Sequence, residues 1–161
     1  LSFNHFDGAG HAHMVDVSAK EPTLREAVVE ALVSLGPGLL ARVSNQDLSK
    51  GDVLGVARLA GIAATKKTPD LIPLAHPLAL HHVAIDFQTD DVAGVLRIIC
   101  TVRALEKTGV EMEAMTGATV AGLTVYDMCK GVCRSIELGP VRLLRKAGGR
   151  SGLYQREQSD G

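Results

Sequence analysis

Asp127 and Lys130 stand three residues apart at the end of the segment GVEMEAMTGATVAGLTVYDMCK, residues 109–130. On an α-helix that spacing puts both side chains on one face, so a carboxylate and an ammonium can converge on one point. A lysine of ordinary pKa, about 10.4, is a poor general base at neutral pH. A carboxylate beside it raises that value and holds the ammonium in position, whereas burial or a second cation lowers it. Two lysines in differently charged settings can therefore supply one acid and one base. Lys50, in Ser49-Lys50-Gly51-Asp52 just ahead of a helix start, is the second candidate. Each has a plainer alternative: a solvated ion pair for Asp127 and Lys130, a turn lysine for Lys50. The surrounding Val125, Tyr126, Met128 and Cys129 favour a helix built for burial, and with it a reaction centre.

An acid pair, Glu111 and Glu113, opens the same segment, and His76 sits in Ala75-His76-Pro77, where the proline restricts it. A histidine so fixed can bind phosphate or pass a proton, or it can be a half-buried loop residue. Arg25, Lys66, Lys67, Arg145, Lys146 and Arg150 are spread over three segments, and a handful of cations can hold one anionic small molecule. Residues 146–152, KAGGRSG, join basic side chains to a flexible backbone suited to phosphates, although the Walker A spacing is absent. Solubilising charge is the competing role for that tail. His11 with His13, and His81 with His82, are fragments of metal-ligand patterns without the clustered Cys or HxxE that would complete them, so no metal is expected.

These side chains need a scaffold. The alternation of His11 to Ser18 predicts a first strand. Thr23 and Glu26 have capping-box spacing, and Leu24, Ala27, Val28, Ala31, Leu32 and Leu35 form a helical stripe ended by Gly36-Pro37-Gly38. Residues 52–67 predict a second helix, with Val53, Val56, Ala57, Ala60 and Ala64 inward, and 39–43 are too short to assign. TPDLIPLAHPL carries three prolines in nine residues and reads as a rigid non-helical loop. Val83, Ile85 and Phe87, then Leu96, Ile98, Cys100 and Val102, predict a hairpin turning near 89–94. A long helix follows from Val110 to Arg134, containing Ala114, Gly117, Ala118, Ala121 and Gly122. Two glycines inside a helix, each costing roughly 1 kcal/mol relative to alanine, imply that something approaches that backbone closely. Ile136 to Leu144 predicts a last strand interrupted by Gly139-Pro140, and the Gly-rich polar tail from 146 onward is expected to be mobile. The mixture predicts a single α+β domain over 1–161, with helices on one face of an antiparallel sheet.

Composition narrows the function. The 161 residues carry 17 Lys and Arg against 18 Asp and Glu, and aromatics make up only 3% with no Trp. Neither the basic excess nor the stacking aromatics of a nucleic-acid domain is present. No apolar run is long enough to span a membrane, and the opening LSFNHFDGAG lacks the regions of a signal peptide. Three cysteines (Cys100, Cys129, Cys133) form no disulfide framework, which favours reduced thiols in a cytoplasm.

HMVDVSAK, KGDVLGVARLAGIAATKKTPDLIPLAHPL, EKTGVEMEAMT and VYDMCK resemble, in order and spacing, the motifs of the cyclic pyranopterin monophosphate synthases, the MoaC family of molybdenum cofactor biosynthesis. The resemblance runs from about His13 to Gly152. It implies a ferredoxin-like fold, a hexamer built from dimers, and active sites at subunit interfaces. It implies conversion of 3′,8-cyclo-7,8-dihydroguanosine triphosphate into cyclic pyranopterin monophosphate, with release of pyrophosphate; no cofactor is expected, and Mg²⁺ with the triphosphate is not indicated. Carried over by position, Lys50 and Lys130 match the acid–base lysines and Asp127 the catalytic aspartate. Leu74, Ala75 and His76, with Met112 and Glu113 and Glu111 beside them, match substrate-contacting segments. Arg25, Lys66 and Lys146 fall where basic residues help hold the triphosphate, from a neighbouring subunit. Two positions depart from the family pattern: Ala75 stands where cysteine is usual, and the tail reads KAGGRSG rather than KSGGKSG. Two other classes remain open, a nucleotide- or pterin-binding module without turnover and an oligomerisation domain with Asp127 and Lys130 as an intersubunit pair.

Overall fold

A computed structural model describes residues 5–46 and 51–157. The chain runs β1 (Thr23–Ser34), α1 (Pro37–Ser44), α2 (Val53–Thr65), α3 (Thr68–Leu71), β2 (His82–Asp90), β3 (Val95–Glu106), α4 (Glu111–Cys129), β4 (Glu137–Ala147) and β5 (Tyr154–Gln155). The five strands form one antiparallel sheet in the order β2-β3-β1-β4-β5. Setting aside the short α1, α3 and β5, the order is β-α-β-β-α-β with β1 and β3 central, the ferredoxin-like arrangement.

The core lies between one sheet face and the two long helices. Ala27, Val29, Ala31 and Val33 of β1 are fully buried and pair in register with Val102, Cys100, Ile98 and Leu96 of β3. Alternate residues of a strand share a face, so these eight form one apolar surface. Onto it pack Ala114, Ala118, Ala121, Val125 and Cys129 of α4. The helical glycines answer the expectation of a close approach, though what approaches is protein. A Cβ on Gly117 would lie 2.7 Å from the Thr65 side chain and 2.9 Å from Cys100 Sγ, and one on Gly61 would lie 2.9 Å from the Gly117 carbonyl oxygen. Small residues thus let α2 and α4 meet over the sheet. Buried there, the Cys100 thiol is pushed up to about 12.

The opposite sheet face is mixed, with Val28 and Leu32 of β1 set among charged residues. Glu30, only 2% exposed, accepts from Arg97 of β3 and Arg142 of β4. Burial pushes its carboxyl up, but the bonds from Arg142 and then Arg97 outweigh this and hold it below the usual carboxylate range. Glu26 beside it is held by Arg103, at 2.5 Å, and by Arg145.

Several expectations need correction. Residues 23–35 form no helix: they are the central strand β1. Their Ala, Leu and Glu content favours helix, but partners on both edges and burial of alternate residues override that preference. The capping-box spacing of Thr23 and Glu26 is incidental, because Glu26 is spent on cross-strand arginines. Residues 11–18 form no strand; the segment makes only an isolated bridge between Phe6 and Ala12. Residues 37–44 are helical, and Thr68–Leu71 adds one helical turn to the proline-rich loop. Val56, expected inward on α2, is 46% exposed. The last long helix ends at Cys129 rather than Arg134, with Lys130 as its C-cap. The β2–β3 hairpin, α2 and β4 lie where expected, the last with a cis Gly139–Pro140 bond.

Candidate active site

The start of α4 sits beside a two-part groove. One part, about 320 Å³, is lined by Leu74, Ala75 and His76 of the proline-rich loop and by Glu111, Met112 and Glu113. His5, Val15 and Val17 of the N-terminal segment and Leu78 complete its wall. The other part, about 380 Å³, is lined by Lys20, Arg25, Lys107, Lys146 and Arg150, with Glu26 and Glu111. Lys20, Thr108, Gly109 and Glu111 line both, so the two parts adjoin. One end is rich in cations and the other holds apolar side chains, two histidines and a buried carboxyl.

Local structure fixes these groups. His76 donates from Nε2 to the Val15 carbonyl oxygen at 2.7 Å, which fixes the orientation of its ring. The same bond ties the N-terminal segment to the loop. Lys107 Nζ donates to the Ser18 carbonyl at 2.9 Å, a second tie. Arg25, near the start of β1, donates from Nε to the Glu106 carbonyl and from Nη2 to the Lys107 carbonyl, each at 3.1 Å. Lys146, near the end of β4, meets Glu111 at 3.0 Å.

Glu113 is 3% exposed, on the first turn of α4. Burial pushes its carboxyl up to about 7; its own backbone N–H opposes that, and the charge of Glu111 adds to it. A carboxyl poised near neutrality in a cleft can hold or release a proton at working pH. The sequence singled out Glu113 for contact alone and gave no sign of this burial.

Asp127 and Lys130 lie elsewhere. Their ion pair, 2.5 Å, forms as the helix spacing predicted. It belongs to the far end of α4, however, and fourteen residues at 1.5 Å each separate Glu113 from Asp127 by roughly 21 Å along the axis. The pair is also solvent-facing, with Asp127 64% and Lys130 53% exposed, rather than enclosed by Val125 and Cys129, which point into the core. Bonding to Asp127 raises the Lys130 pKa. Lys66 caps the end of α2 and lines neither part of the groove. Lys50 lies outside the described residues.

Lys20, Lys107 and Arg150 are the cations of the groove that the residue-by-residue comparison left unassigned. Only their clustering in the folded chain distinguishes them, although the order Lys107-Thr108-Gly109 immediately before α4 is a usable signal. Among the described residues no group of three or more His, Cys, Asp or Glu could hold a metal ion, so the histidine pairs stay apart from any such cluster. A larger concavity of about 1120 Å³ lies on the other sheet face, where Glu30 is paired with Arg97 and Arg142, Arg145 turns to Glu26, and Arg156 donates to the Leu143 carbonyl oxygen.

Residues 14–149 match the family model described as the MoaC family. The chain belongs to that family. It is 63% identical over 158 residues to a cyclic pyranopterin monophosphate synthase of Pelobacter propionicus, covering 98% of this chain and 99% of the relative. A synthase of the same name from Geobacter sulfurreducens is 62% identical over the same shares. A third, from Roseiflexus castenholzii, is 55% identical over 92% of this chain and 94% of its own length. The family match covers both ends of α4 and the groove apart from His5, Arg150 and Ser151.

Proposed function

We propose that the protein is a cyclic pyranopterin monophosphate synthase, a pyrophosphate-releasing lyase of an early step in molybdenum cofactor biosynthesis. Its substrate is the 3′,8-cyclised dihydro-GTP, and its products are cyclic pyranopterin monophosphate and pyrophosphate. Family membership supports this reaction, and the observation that carries the reading is the two-part groove. Its cationic part suits a triphosphate, and its apolar part suits a flat heterocycle. Leaving pyrophosphate builds up negative charge, which Arg25, Lys146, Lys20 and Lys107 are in place to offset. At the other end Leu74, Ala75, His76 and Met112 enclose the ring system, and Glu113 exchanges a proton there.

Asp127 keeps Lys130 in the ammonium form, suiting it to donate a proton or to neutralise charge on a leaving oxygen. At roughly 21 Å from Glu113 along one helix, that pair cannot act on a substrate in its own groove. We place it instead at the groove of a neighbouring protomer, with Lys50 as the second acid–base lysine and Lys66 contributing charge from a neighbour. The assembly on this reading is a hexamer of three dimers, working in the cytoplasm. Its proton transfers come from side chains, without a cofactor. No described helix is long and apolar enough to cross a membrane.

The test is single-turnover release of pyrophosphate from the cyclised nucleotide, with product read as its fluorescent oxidised pterin. Release by the wild type, none by Lys130→Ala, and an unchanged assembly size by light scattering are expected. Tight binding without release by the wild type would instead identify a sequestering module. Loss of the assembly in Lys130→Ala would identify a structural pair.

A further inference from the structure

Glu111 begins α4 and lines both parts of the groove. Its carboxylate reaches across to Lys146 of β4 at 3.0 Å, and the two side chains are 28% and 29% exposed, so solvent screens the pair only in part. The backbone leaves room for it: a Cβ on Gly109 would fall against the Glu111 carboxylate. The other acid of the cationic part, Glu26, is committed to Arg103 and Arg145. Glu111 is therefore the carboxylate that faces the groove cations, and a phosphate group entering there competes with it for Lys146.

We propose that Glu111 is a resident competitor for phosphate, yielding Lys146 to the incoming triphosphate and reclaiming it as pyrophosphate departs. It thereby sets how long pyrophosphate is retained, and so acts on specificity and product release rather than on bond making. This rests on the reading above that the phosphates occupy the cationic part. A groove of several cations without an internal anion holds its leaving pyrophosphate too well, and turnover then stalls on release. An internal carboxylate at hydrogen-bonding distance takes the place of the departing oxygens without movement of the backbone.

The test is pyrophosphate binding by calorimetry to the wild type, Glu111→Gln, Lys146→Gln and the double variant, all checked for an unchanged melting temperature. Glu111→Gln keeps the shape and removes the charge, so it should bind pyrophosphate about tenfold tighter. In the Lys146→Gln background the same change should alter binding less than about twofold, because the two residues act as a coupled pair. In turnover, Glu111→Gln should slow pyrophosphate release, read as a burst of oxidised pterin followed by a slower steady state. Unchanged or weaker binding by Glu111→Gln, or equal tightening without Lys146, overturns the proposal and leaves the groove reading intact. Absence of pyrophosphate binding by the wild type at low salt overturns both.

Discussion

Replacing Glu113 by glutamine removes a titrating group at almost no change in volume, and the structure fixes the sign and size of the effect. Burial lifts the folded-state carboxyl to about 7 from the ordinary 4.5. A raised carboxyl pKa means the folded chain holds the proton more tightly than the unfolded chain. Its contribution to stability is then complete below about 4.5 and is lost as pH rises through about 7. Integrating the proton difference from pH 5 to pH 8 gives a loss of about 2–3 kcal/mol in the wild type. Glutamine carries no such proton, so the stability advantage of Glu113→Gln should grow by about that amount over the same range. Denaturant unfolding of both proteins at fixed chain concentration, at half-unit pH steps, measures it. Turnover by Glu113→Gln should fall at every pH, because the group that exchanges the proton is gone. A stability difference flat between pH 5 and pH 8 would refute the argument, since it would mean that Glu113 is hydrated and ordinary.

Four further outcomes follow from the packing and the buried charges. Gly117→Ala sets a methyl against Thr65 and Cys100, and should destabilise by about 1–2 kcal/mol after allowing for the better helix propensity of alanine; Gly131→Ala, where a Cβ meets nothing within 4 Å, should be near neutral in the same unfolding assay. Glu30→Ala leaves Arg97 and Arg142 without their shared carboxylate and should cost about 1–2 kcal/mol, the arginines being part-exposed. Because the Glu30 pKa is depressed, its contribution is present above about 4.5 and is lost as pH falls through its lower folded value, so wild type and Glu30→Gln should converge in stability in acid.

What the sequence revealed depended on how local the cause was. The hairpin of β2 and β3 and the helix α2 carry their own signals, alternation in one and a side-chain cap at Asp52 in the other, accepting from Gly55 N–H at 2.8 Å. Strand β1 carried a misleading one. Its second face is lined by Val28, Glu30 and Leu32, so apolar residues recur on both faces and imitate a helical stripe. Only the pairing of Glu26 and Glu30 with arginines on β3 and β4, more than 65 residues away in the chain, shows why acids sit in a central strand. At the site, the loop residues Leu74 to His76 and the acids Glu111 and Glu113 were legible as motifs and do meet. The spacing of Asp127 and Lys130 was legible too. Their distance from the groove was not, because a helix read as a pattern of faces says nothing about which of its ends faces a ligand. Lys20 and Lys107 escaped notice because a cation in a turn acquires meaning only when the fold brings others beside it.

The central claim is that the groove of one protomer and the Asp127–Lys130 end of another form one active site. Mixed assemblies of Glu113→Gln and Lys130→Ala chains, co-expressed with different tags and purified through both, test it most directly. Each variant alone should be inactive. Random mixing leaves about a quarter of the sites with an intact groove facing an intact Lys130, so about a quarter of wild-type pyrophosphate release should return. Mixed assemblies as inactive as either parent would contradict the shared site.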